Sequence, residues 1–127
     1  MSKFKFGPNQ EKWLAELESG DNLQCRQSLI EVDNQGNVSY CCLGLAADKV
    51  LNLEKTNSYF KDGECRLIDF LDNNVYKKLG LFSPEGTIKD YCEEKSLAEL
   101  NDDYRFSFNE IAKFIRKNPE QVFSESV

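Results

Sequence analysis

The sequence predicts an α+β fold: a single small domain in which an antiparallel β-hairpin or small sheet is packed with about four or five helices. Three observations predict it. Two short extended runs flank the turn-forming stretch Asp33-Asn34-Gln35-Gly36-Asn37, as in a hairpin. Apolar residues recur at helical spacing around Trp13, Leu45, Val75 and Ile111. The 127 residues are also the length of about one domain, since domains commonly run ~100–150 residues.

The elements follow in order. Gly7-Pro8-Asn9 opens a helix that runs to about Glu18, because Trp13, Leu14 and Leu17 share one face while Glu11, Lys12, Glu16 and Glu18 stay outside. Ser19-Gly20 ends it. Gln24 to Val32 and Val38 to Cys41 are extended and form the hairpin. Leu43 to Leu51 is nearly all apolar and is expected as a buried helix, in which Gly44, lacking a Cβ, allows close approach to a neighbouring backbone. Asn52 to Glu64 reads as a surface loop whose Tyr59 and Phe60 either fold back onto the core or form an exposed contact.

Arg66 to Leu79 reads as two short helices interrupted by Asp72-Asn73-Asn74, with Gly80 at a left-handed C-terminal position. Ser83 to Gly86 is a turn. Ser96 with Glu99 caps a single helical turn, Leu97 to Leu100, which Asn101-Asp102-Asp103 is expected to break. Ser107 with Glu110 caps a last helix that ends near Lys117, ahead of Pro119. Residues 8–117 are thus the expected ordered core, and 118–127 a tail that frays.

Composition narrows function. Apolar residues are 40% and charged residues 30%, with 12% aromatics, which marks a globular chain. Its formal charge of −6 and the lack of any basic block argue against direct nucleic-acid binding. The N-terminus carries no secretory signal, and no apolar run approaches the ~18 residues of a membrane span. A soluble chain retained in the compartment of its synthesis is expected, with no membrane partner. Five cysteines (Cys25, Cys41, Cys42, Cys65 and Cys92) are an odd set, which favours reduced thiols over a disulfide framework.

Cys42 at a helix start is placed where a thiol could become a nucleophile. The chain has no histidine, however, so the Cys–His pair, the imidazole base and a histidine-ligated metal are excluded. The cysteine pair is better read as small thiols that lock hairpin to helix. No Cys-x-x-Cys nucleates a zinc site, neither phosphate-loop signature is present, and the carboxylates at Asp102-Asp103 and Glu93-Glu94 belong to an acidic surface. No catalytic residue, metal ligand or cofactor is therefore expected.

The candidate contact residues are polar groups in apolar surroundings: Gln24, Arg26, Tyr40, Asn101 and Asp102. Gln24 and Arg26 share one side of a strand, Tyr40 lies in the partner strand, and Asn101-Asp102 ends a helix. Two readings stand open. A guanidinium beside amides and a tyrosine can hold a phosphate or carboxylate through paired hydrogen bonds. Alternatively, Arg26 pairs with Asp102 while Asn101 caps a helix, tying the ends of the domain together.

The order of several motifs carries a resemblance. A tryptophan helix ending in Ser-Gly (Trp13 to Gly20), a Gln-x-Arg strand (Gln24 to Leu29), Cys41-Cys42-Leu43-Gly44, Leu79-Gly80-Leu81, Leu97 to Asp102 with its Leu-Asn-Asp, and Phe108 to Ile115 occur in that order. In this the chain resembles a widespread family of small, largely uncharacterised proteins of tailed bacteriophages. It departs where the family usually has a further cysteine, at Ala47, and a glycine, near Gln27. The resemblance implies the cytoplasm of an infected bacterial host and an accessory, anti-defence role. Two functions are then expected: a non-catalytic protein, acting as a homo-oligomer, that binds and sequesters a small anionic nucleotide-type host immune signal, or an inhibitor that engages a host protein through its acidic surface.

Overall fold

The computed structural model describes residues 4–56, 59–61, 67–68, 71, 74–89 and 95–127. Within them the chain is α+β, with five α-helices and three small sheets in one domain. Helix α1 (Pro8–Glu18) starts on Pro8 and buries Trp13, Leu14 and Leu17. This is the face that its sequence periodicity marks. Buried Gln10 closes the start: its Oε1 accepts from Gly7 N at 2.9 Å, and its Nε2 donates to Leu79 O and Glu125 O at 2.9 and 2.7 Å.

Strands β1 (Leu23–Gln24), β2 (Ile30–Val32) and β3 (Val38–Tyr40) form one sheet in the order β1-β3-β2. The hairpin of β2 and β3 is antiparallel, Ile30 facing Tyr40 and Val32 facing Val38. Its turn is organised by Asp33, whose carboxylate accepts from Gln35 N and Asn37 N at 2.8 and 2.9 Å. The long first run is not one strand. It breaks after Gln24 and reverses through Gln27, at φ 68, so that β1 pairs parallel with β3. Gln27 thus holds the left-handed conformation that glycine adopts most readily.

Helix α2 (Cys42–Lys49) follows β3 directly, and all but its last two residues are buried. A Cβ on Gly44 would lie 1.7 Å from Leu29 O, so the expected close approach is backbone against backbone. The segment after it is not all loop. Strand β4 (Phe60–Lys61) pairs antiparallel with β5 (Leu67–Ile68), where helix was expected, because a partner strand outweighs local propensity. Tyr59 is exposed and Phe60 fully buried, so the two aromatics part company. A 3-10 helix (Val75–Leu79) ends at Gly80 with φ 73. Strands β6 (Thr87–Ile88) and β7 (Lys95–Ser96) form a further pair.

Helix α3 (Leu97–Asp102) is capped by Ser96, which accepts from Glu99 N at 3.1 Å. It runs two residues past the expected break, because Asn101 and Asp102 satisfy distant backbone groups rather than their own turn. Helix α4 (Phe108–Lys117) carries the expected capping box of Ser107 and Glu110. The expected tail is ordered. Helix α5 (Pro119–Val122) buries Val122 and Phe123, Leu81 bridges to Phe123, and Val127 O accepts from Asn9 N at 3.1 Å. Phe123 also stacks on Phe4, with ring centroids 5.7 Å apart, and meets Trp13 edge-on. Burying those rings outweighs the chain entropy that a polar tail would have kept.

Candidate functional site

Strands β1 and β3 and the start of α2 converge on Asn101 of α3, which is fully buried. Cys25 N donates to Tyr40 O at 2.7 Å, which continues the parallel ladder one step beyond β1. The next ladder bond would join Cys42 N to Cys25 O. Asn101 takes its place: its Oδ1 accepts from Cys42 N at 3.1 Å and its Nδ2 donates to Cys25 O at 2.9 Å. One side-chain amide stands in for the missing rung and caps the first N–H of α2. Gln24 completes the junction, its Nε2 donating to Asn101 Oδ1 at 2.7 Å and to Phe106 O at 2.8 Å.

Asp102 sits on the outer side of this junction. Its Oδ1 accepts from Gln27 N and from Asn101 Nδ2, both at 2.8 Å. That carboxylate therefore steadies the reversal at Gln27, and the expected pairing with Arg26 is not made. Arg26 is half-buried, and among the described residues it has no hydrogen-bond or ion partner; its Nε is shielded from solvent without an acceptor. The structure thus brings Gln24, Asn101 and Asp102 together as a scaffold and leaves the Arg26 guanidinium unused beside them.

Tyr40 belongs to a different group. It is register partner to Gln24, but its hydroxyl donates to Asp48 Oδ2 in α2, and Asp48 Oδ1 accepts from Lys55 Nζ at 3.1 Å. Burial, reinforced by the Asp48 carboxylate, raises the Tyr40 pKa well above its usual range, so the phenol stays protonated. Sequence reasoning missed this trio. Asp48, half-buried in a helix whose only other charge is the terminal Lys49, was the available signal, since a charge there needs a partner. The depth of Asn101 had a signal too: Leu97, Leu100 and Asn101 recur at spacings of three and four, on one helix face.

Among the described residues the thiols of Cys25, Cys41 and Cys42 are buried, which disfavours their thiolate forms. Cys41 is the N-cap residue of α2 and accepts from Gly44 N at 3.4 Å, while Cys42 donates to Leu97 O at 3.6 Å. Desolvation pushes Cys25 up to about 11 and Cys41 up to about 12, and it lifts Cys42 well above the ordinary value as well. Burial here outweighs the acidifying pull of the helix N-terminus. Among the described residues no three His, Cys, Asp or Glu side chains are grouped to hold a metal ion. Cys65, Cys92, Glu93 and Glu94 lie outside those residues. Among the described residues, no helix is long and apolar enough to cross a membrane.

No family model matches the chain, and neither a curated protein nor a solved structure does.

Proposed function

We propose that the chain is a non-catalytic phage accessory protein that binds and sequesters a small nucleotide-type signal of a host defence system, with Arg26 gripping the anionic group. The single observation that carries the binding role is Arg26 itself. A guanidinium in a half-buried position ordinarily has a carboxylate or carbonyl partner, because an unmatched buried N–H costs ~1–3 kcal/mol. Here Asp102, the partner the sequence offers, instead accepts from Gln27 N and Asn101 Nδ2 through its Oδ1. An incoming phosphate or carboxylate would supply the acceptor that Arg26 Nε lacks.

The non-catalytic part is supported by the absence of histidine and by the protonated state of the buried thiols. The phage setting is supported by the motif order from Trp13 to Ile115 alone. A homo-oligomer with its ligand between subunits belongs to the same proposal.

The test is ligand capture. Protein incubated with extract from phage-infected cells, washed and heat-denatured, is expected to release a small nucleotide-type molecule detectable by mass spectrometry. Arg26→Ala is expected to release none while melting as the unsubstituted protein does. Equal release from both proteins, or release from neither, overturns the proposal.

A further inference from the structure

The geometry points to Tyr104 as the platform on which the flat ring of a nucleotide ligand stacks while its phosphate is held by Arg26; this rests on the anion-binding reading of Arg26 above. Two hydrogen bonds tie the stretch from Gln24 to Gln27 to the stretch from Asp102 to Phe106: Gln27 N to Asp102 Oδ1 at 2.8 Å, and Gln24 Nε2 to Phe106 O at 2.8 Å. Arg26 lies between the anchors Gln24 and Gln27, and Tyr104 between the anchors Asp102 and Phe106. Both residues thus lie on chain segments that these two bonds hold side by side.

Tyr104 is also presented rather than packed. It is 49% exposed, while its backbone N–H is fixed on Glu99 O at 3.0 Å. Arg105, at φ 55, turns the chain back so that Phe106 O can reach Gln24. Lys95 Nζ lies 4.6 Å from the ring centroid and hydrogen-bonds the hydroxyl. An exposed aromatic ring on the segment beside the one that carries an unpartnered guanidinium offers the two chemical halves of a nucleotide site, a π face and an anion grip.

Asp102 and Asp103 sit on the same corner, and they sharpen the ligand class. Diffuse negative charge would be repelled there, whereas a nucleotide puts its charge at Arg26 and a neutral base beside the acids. The class is accordingly a small nucleotide with its base free to stack, rather than a polyanion.

The test titrates four probes (AMP, cyclic AMP, cyclic di-AMP and ribose 5-phosphate) against the unsubstituted protein and against Arg26→Ala, Tyr104→Ala and Tyr104→Phe. At least one nucleotide is expected to bind about tenfold or more tighter than ribose 5-phosphate. Tyr104→Ala is expected to erase that advantage and leave ribose 5-phosphate binding unchanged, while Tyr104→Phe keeps it. Arg26→Ala is expected to abolish binding of all four. A Tyr104→Ala protein that still favours the nucleotide overturns the stacking role and leaves the Arg26 reading intact. An Arg26→Ala protein that binds as before, or an unsubstituted protein that binds no probe, overturns both.

Discussion

At the scale of single residues, Asn101 and Gly44 do most to hold the junction. Replacing Asn101 by alanine strands Cys25 O and Cys42 N in a dry interior, at ~1–3 kcal/mol for each group. Urea unfolding of Asn101→Ala is expected to show a loss in that range or above. Gly44→Ala is the companion case. Its methyl would meet the Leu29 carbonyl, which is main chain and cannot swing aside, so a loss beyond the ~1–3 kcal/mol of ordinary overpacking is expected in the same measurement. The need for glycine at position 44 was legible in the sequence, because a glycine inside a strongly apolar helix asks for a close neighbour. The role of Asn101 was only half legible. Asparagine near a helix end signals a cap, yet nothing local shows that the helix capped is α2, about 59 residues earlier in the chain. Arg26 and Asp102 give a third residue-scale expectation. With no bond between them, the stability changes of Arg26→Ala, near zero, and of Asp102→Ala should add within ~0.3–0.5 kcal/mol in a double-mutant cycle, and a larger coupling would show that the two charges do pair in solution.

Among elements, the outcome depended on whether the information was local. Helices α1, α2 and α4 were readable because periodicity and caps lie within each segment. Strands β1 and β5 were not, since a two-residue strand is defined by its partner and not by its own composition. The last segment shows the same limit from another side. Glu120, Gln121, Ser124, Glu125 and Ser126 make it look polar, but Val122 and Phe123 are buried, Phe123 against Trp13 of α1 and beside Leu81. Phe123→Ala removes a ring that meets Phe4, Phe6 and Trp13, and a cost of ~3–5 kcal/mol is expected from its denaturation midpoint. A loss below ~1 kcal/mol would return this segment to the status of a tail.

For the whole molecule, titration is expected to be lopsided. Folding raises the pKa of Cys25 from 9.0 to about 11 and of Cys41 from 9.0 to about 12, and it raises Cys42 and Tyr40 as well. Unfolded thiols release their protons from about pH 9 while the folded ones keep theirs, so above that pH the unfolded state binds fewer protons and stability falls; below it the contribution is constant. The melting temperature should therefore be level through neutrality and drop from about pH 9 up to about pH 12. Serine at Cys25, Cys41 and Cys42 should blunt the drop in proportion to the thiols removed. On the acid side, Glu18 is held below its usual range by its hydrogen bond to Arg116, and that small contribution fades as pH falls through the carboxylate range. The single tryptophan gives this behaviour a built-in readout. Trp13 has no solvent exposure, and its indole N–H donates to Cys42 O at 2.9 Å, which welds the first helix to the start of the second. Its fluorescence is accordingly blue while that joint is shut and shifts red only when it opens, so the colour of the protein reports the junction itself and stays silent to events at the surface around Arg26.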